Sequence, residues 1–138
     1  MVVGNDVKSV RMGRIMSEFV HVAVDAMGGD HAPAEIVKGT VDALNKCPNL
    51  KVTLTGPEDQ VKAELSKHQY PQDRVQILNC TEVIAMAEPP VEAIRTKKDS
   101  SIVKGLRLVN DGECDAFVTA GSTGAALAGG QLLVGRIK

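Results

Sequence analysis

HVAVDAMGGDHAP, residues His21 to Pro33, joins an apolar strand to a helix through a pair of glycines. Val22, Ala23 and Val24 run without polar alternation, as strands covered on both faces of a parallel sheet do. Asp25 stands at the carboxyl end of that strand, the edge at which open α/β sheets take ligands. Gly28 and Gly29 let the main chain turn sharply or approach a ligand with no Cβ in the way. Asp30 and Pro33 then predict a helix start: proline is favoured at the first helical position, and an acid just before it can accept first-turn amides.

Outward from this stretch the same grammar repeats. Ile36, Val37, Val41 and Leu44 predict an amphipathic helix over Pro33 to Asn45, stopped by Pro48. Val52 and Leu54 mark a second strand, and Gly56, Pro57, Glu58 and Asp59 open a second helix running to His68. A turn at Tyr70 to Asp73 precedes a third strand through Val75, Ile77 and Leu78, ending near Cys80. Thr81 to Pro90 reads as a loop or bent entry, because Pro89 and Pro90 forbid a continuous helix across it. Asp99 or Ser100 can cap a helix carrying Ile102, Val103, Leu106 and Val109, which Gly112 ends. Asp115 to Ala120 form a fourth strand, and Gly121 to Gly124 open a last helix through Leu127, Leu132 and Leu133. Strands alternating with helices at this spacing imply right-handed βαβ crossovers, hence an α/β fold with a parallel sheet and helices on both faces.

The 138 residues make about one domain. We divide them into a poorly ordered leader, 1–20, and an α/β unit, 21–138. The leader lacks the apolar core of a secretion signal, and Val7, Val10, Ile15 and Phe19 leave an amphipathic helix as its alternative. Sixteen basic against 17 acidic residues and only 2% aromatics argue against nucleic acid, which wants a basic footprint and stacking platforms. Cys47, Cys80 and Cys114 are odd in number and widely spaced, so they fit neither a disulfide framework nor a paired metal site, and point to a reducing cytoplasm. The histidines and cysteines are too dispersed for a metal, and no stretch approaches a membrane span.

Three places could carry chemistry. In AGSTGAA, Ala120 to Ala126, a strand leads straight into small residues and a helix, whose free amides, with the hydroxyls of Ser122 and Thr123, could hold a phosphate or an oxyanion. The alternative is that Gly121 and Gly124 only permit close packing while Ser122 caps the helix. KKDSS, Lys97 to Ser101, sets two cations before a hydroxyl-rich helix start, an anion site or else a solvated basic turn with a serine cap. His31, beside the Gly-Gly turn, could donate to a phosphate or move a proton near neutral pH; His21 and His68 have no such setting.

VAVDAMGGDHAP, followed by EPPVEAIRTKKDSSIVKGLRLVNDGECDAFVTAGSTGAALAGG, resembles in order and spacing the amino-terminal half of the phosphate acyltransferase family (PlsX). The resemblance covers most of Val22 to Gly130, with Ala93, Arg95, Lys98, Asp99, Ser100 and Ser101 standing where the family's run stands. Ser122 departs from the asparagine of the family's AGNTGA-like loop, an exchange that keeps helix capping and could alter ligand contact. Members of that family are much longer, so the chain resembles a truncated one. The resemblance implies a three-layer α/β/α architecture with a mostly parallel sheet, isocitrate- or isopropylmalate-dehydrogenase-like or phosphotransacetylase-like. It also implies homodimers, no metal or redox cofactor, and peripheral association with the inner face of the membrane in some members.

The activity so implied converts an acyl carrier protein thioester and inorganic phosphate to acyl phosphate in bacterial phospholipid synthesis. Phosphate attacks the thioester carbonyl, so the site must hold a dianion and stabilise a developing oxyanion. Our catalytic candidates are His31, Lys98 and Ser122. Those for holding substrate phosphate are Gly28, Gly29, Ser100, Ser101, Gly121, Thr123 and Gly124, with Asp25 and Asp30 ordering the turn rather than touching the anion. Two alternatives stand beside this: phosphotransacetylase-like transfer to coenzyme A, and a non-catalytic fragment that keeps only the fold half.

Overall fold

The computed structural model describes residues 1–4 and 19–136. Four strands lie parallel: β2 (Val20–Asp25), β3 (Leu50–Gly56), β4 (Val75–Asn79) and β5 (Ala116–Val118). A short fifth, β1 (Val2–Gly4), pairs antiparallel with β5, giving the order β1-β5-β2-β3-β4. β1 falls within the stretch expected to be a leader; most of that stretch, including the alternative helix from Val7, lies outside the described residues. Met1 also holds the main chain of Thr119 from both sides, its amino group donating to the Thr119 carbonyl at 2.9 Å and its carbonyl accepting the Thr119 N–H at 3.1 Å.

Helices cover both faces, which makes the three layers. α1 (Ala34–Lys46) and α2 (Glu58–Leu65) lie on one face, where Val37, Val41, Leu44, Val61 and Leu65 meet Val24, Val52 and Leu54. On the other, α3 (Pro90–Thr96), α4 (Ser101–Asn110) and α5 (Thr123–Gly129) bury Ile94, Ile102, Val103, Leu106 and Val109 with Ala23 and Phe117. Successive strand residues serve opposite faces, as the pleat requires: Ala23 joins one cluster and Val24 the other. A single π-helical turn, Gly130–Val134, continues α5 through Leu132 and Leu133.

Three boundaries differ from expectation for local reasons. Pro33 is the N-cap of α1 rather than its first residue, and no side chain caps it, so Asp30 does not serve the amides. α2 also lacks a cap of its own; Asn79 at the end of β4 supplies one, its Oδ1 accepting the Glu58 N–H at 2.9 Å. Pro90, read as a breaker, starts α3, since a proline at a first helical position removes only an N–H that would be unpaired anyway.

Two ties flank β4. Before it, Arg74 donates to the carbonyls of Cys47 (2.8 Å), Leu50 (2.9 Å) and Leu44 (3.0 Å), gathering the end of α1 and the start of β3. After it, the loop from Thr81 to Pro89 is strapped to the approach to α4. Lys97 pairs with Glu88 at 2.6 Å, Lys104 pairs with Asp99 at 2.5 Å, and Asp99 accepts the Thr81 N–H and hydroxyl.

Candidate functional site

β2 and β5 are parallel neighbours in the register Val24 with Val118, so the segments that follow them leave the same sheet edge side by side. They touch. A Cβ on Gly28 would stand 2.8 Å from the Gly121 nitrogen, 2.8 Å from Thr119 Oγ1 and 2.9 Å from Asp25 Oδ2. A Cβ on Gly121 would stand 3.2 Å from Gly28 Cα. Glycine at 28 is therefore a requirement of contact between the turns, a Cβ at 121 would press on the same contact, and Gly29 adds a positive φ of 105°.

Beneath the turns lies Asp25, only 2% exposed. Its Oδ1 accepts the Met27 N–H at 3.0 Å, and its Oδ2 accepts the Thr119 hydroxyl at 2.7 Å. Thr119 Oγ1 in turn accepts the Gly121 N–H at 3.0 Å. A buried carboxylate is costly unless hydrogen-bonded, and here both oxygens have a donor. Sequence reading missed Thr119. Its signal was register: Phe117 and Thr119 share the face of Ala23 and Asp25, so an acid and a hydroxyl close neighbouring parallel strands on one side.

Ser122 is buried and caps α5, its Oγ accepting the Ala125 N–H at 3.2 Å. No acceptor is found among the described residues for the amides of Ser122, Thr123 and Gly124, the residues that follow the apposed glycines. Gly124 also answers to packing, since a Cβ there would meet Pro90 Cγ at 2.7 Å. Ser100 caps α4 by accepting the Val103 N–H at 3.3 Å. The Ser101 carbonyl accepts the Thr55 hydroxyl at 3.0 Å, and Thr55 is the register partner of Asp25, so the start of α4 sits under the same edge one strand away. Both serines are buried.

Asp25, Gly28, Gly121 and Ser122 thus come together, with Ser100 and Ser101 behind them. Gly29, Asp30, His31 and Thr123 are exposed on the turns, and Lys98 is exposed before α4. Lys97, not Lys98, is the lysine tied down, to Glu88 and to the Val83 carbonyl at 2.8 Å. That hydrogen bond from Lys97, helped by the Ala85 amide, holds the Glu88 carboxyl below its usual range. Lys104, with the Thr81 donors, holds Asp99 far below it.

An apolar cavity lies elsewhere. About 380 Å³ opens between α1 and the sheet, lined by Val22, Val24, Val118, Ile36 and Ala43, and it is almost wholly apolar. The turns, with their amides and buried carboxylate, carry the polar groups that chemistry needs, so we place the candidate site there. Among the described residues no group of three or more His, Cys, Asp or Glu could hold a metal ion, and no helix is long and apolar enough to cross a membrane.

The model of a family described as fatty acid synthesis protein matches residues 20–138. A phosphate acyltransferase of Clostridium botulinum is 54% identical over 117 residues, covering 85% of this chain and 35% of that protein. One of Clostridium perfringens is 50% identical over 119 residues (86% and 35%), and one of Halothermothrix orenii 48% over 118 (86% and 35%). The chain therefore spans about 35% of the length of these curated relatives. The matched region takes in the described sheet except β1, both glycine turns and the five α-helices among the described residues. On that match the chain belongs to the fatty acid synthesis protein family, alongside relatives that bear the name phosphate acyltransferase.

Proposed function

We propose that this chain is the phosphate-holding part of an acyltransferase that converts an acyl carrier protein thioester and inorganic phosphate to acyl phosphate and the free thiol. The observation that carries the reading is the apposition of the Gly28 and Gly121 turns over Asp25, with the amides of Ser122 to Gly124 facing no acceptor among the described residues. Oriented main-chain amides suit both a phosphate dianion and the oxyanion that forms as phosphate oxygen adds to the thioester carbonyl and the C–S bond breaks. His31 and Lys98, exposed beside the turns and α4, would meet the phosphate or the leaving thiolate, while Ser122, as a buried cap, would act by fixing the first turn of α5 through the Ala125 N–H.

The same reading takes the protein to be a homodimer in the cytoplasm, peripheral to the inner face of the membrane; these expectations rest on the family resemblance. Coverage of about 35% of the relatives favours an isolated chain that binds phosphate weakly and turns over poorly. Loss of a single oxyanion donor costs on the order of a hundredfold in rate, and a cleft with one wall loses more.

The test is acyl phosphate formation from acyl carrier protein and coenzyme A thioesters, run on this chain and on the Clostridium botulinum relative. We expect the relative to use the carrier protein thioester and this chain to be far slower. Turnover matching the relative would overturn the fragment expectation, and use of coenzyme A thioesters alone would favour phosphotransacetylase-like transfer.

A further inference from the structure

Thr119 has a part in this site that the reading above does not use. Its side chain is 4% exposed and stands between the two turns. A hydroxyl has one proton, and a carboxylate accepts without donating. With the proton directed to Asp25 Oδ2 at 2.7 Å, the Thr119 oxygen presents a lone pair to the Gly121 N–H at 3.0 Å. Asp25 Oδ1 meanwhile accepts the Met27 N–H at 3.0 Å. Main chain of the first turn is thereby joined to main chain of the second through two buried side chains.

The relay closes only because Gly28 lacks a Cβ, which would stand 2.8 Å from Thr119 Oγ1. It also directs Gly121 inward and leaves the next three amides, Ser122 to Gly124, without an acceptor among the described residues. The Thr119 main chain is held separately by Met1, so a side-chain substitution removes the relay and leaves that pairing in place.

We propose that Thr119 is a positioning residue, whose hydroxyl sets the Gly121 turn against the Gly28 turn and so aims the amides that receive phosphate; the role rests on the phosphate reading given above. It explains why a polar residue sits where the strand could have ended on another aliphatic. Phe117, two residues earlier on the same face, is fully buried among Ala23, Leu106 and Ala125.

The experiment titrates the uniformly ¹⁵N-labelled full chain with inorganic phosphate, for the native sequence and for Thr119→Ser, Thr119→Val and Thr119→Ala. The native chain should show saturating amide shifts confined to residues 119–124 and 28–31. Thr119→Ser, which keeps the relay, should bind within about twofold of native, and Thr119→Val about tenfold more weakly, the scale of one buried hydrogen bond, with the Gly121 amide resonance displaced before phosphate is added. Native affinity in Thr119→Val would overturn the positioning role while leaving the phosphate reading intact. Equal weakening in Thr119→Ser would overturn it too, by making the methyl group the part that matters. If neither Thr119→Val nor Thr119→Ala folds, the hydroxyl serves the fold rather than the aim of the turn, and the proposal fails. Absence of a saturating shift in the native chain would instead refute phosphate binding itself.

Discussion

On one face of the sheet α4 lies so near that a Cβ on Gly105 would sit 2.3 Å from the Phe117 ring, and a Cβ on Gly129 of α5 would meet Leu106 at 2.4 Å. On the other, Gly39 of α1 has nothing within 4 Å of where its Cβ would be, and the cavity of about 380 Å³ lies beside it. The open face continues to Val20 and Val2, which are 46% and 66% exposed. Glycine therefore means two things within one molecule. In α4 it is the condition for contact, whereas in α1 it is a missing side chain at a helix position that tolerates one.

Deleting a large side chain from each face should separate the two most strongly. Phe117→Ala should cost about 4–5 kcal/mol, the upper part of the range for such deletions, because closely packed helices cannot collapse into the hole. Leu44→Ala, beside helices with room to shift, should fall near the lower end, about 2 kcal/mol. Urea unfolding measures both, and equal losses would show that the faces yield alike.

A smaller effect comes from one substitution made twice. Gly105→Ala should destabilise by about 1–3 kcal/mol through overpacking against Phe117. Gly39→Ala should stabilise by about 0.5–1 kcal/mol, since alanine is the better helix former and meets no neighbour. The two melting temperatures should move in opposite directions; a shift of the same sign would mean that α4 can retreat from the sheet.

The smallest expected effect is electrostatic and belongs to the closed face. His21 Nε2 lies 2.7 Å from Thr53 Oγ1, and burial, opposed in part by the nearby Glu113, lowers the imidazole below its ordinary value of 6.5. The unfolded chain then takes up its proton first as pH falls. His21 thus contributes stability that is complete above pH 6.5 and is lost as pH drops from there through the lower folded value. Melting temperature should decline between pH 7.5 and 5.5 in the native chain and less so in His21→Gln; an identical slope in both would remove His21 as the cause.

Periodicity made the four parallel strands and most helices legible, because Val22 to Val24, Val52 to Leu54 and the Ile102–Val109 stripe each repeat with the period of their element. What escaped was non-local. β1 is three residues whose only argument for being a strand is their pairing with Val118, Phe117 and Ala116. α3 was hidden by prolines that break a helix in its interior and begin one at its start. At the site each glycine turn is readable as the end of a strand, while their mutual contact is not. The placement of Ser100, Ser101 and Ser122 as buried residues, and Thr119 as the link, follows from strand register, which a single sequence does not display.

The two ties of β4 respond to solvent in different currencies. Arg74 is held by three neutral carbonyls, whose attraction for it neither titrates nor depends on a counter-charge. The strap beyond β4 combines a main-chain bond, Glu82 N–H to the Asp99 carbonyl at 3.3 Å, with half-buried ion pairs, Lys97 with Glu88 and Lys104 with Asp99, which dissolved salt weakens. Raising ionic strength should thus loosen the Thr81–Pro89 loop, which Ile84 still anchors in the core, and leave the junction of α1 and β3 as it was. The edge strand then has a salt-sensitive tie beyond its carboxyl end, the end nearest the glycine turns, and a salt-insensitive one at the other. Ionic strength then bears on how firmly that loop is held near the sheet edge where the site lies, with the scaffold that carries the site left intact.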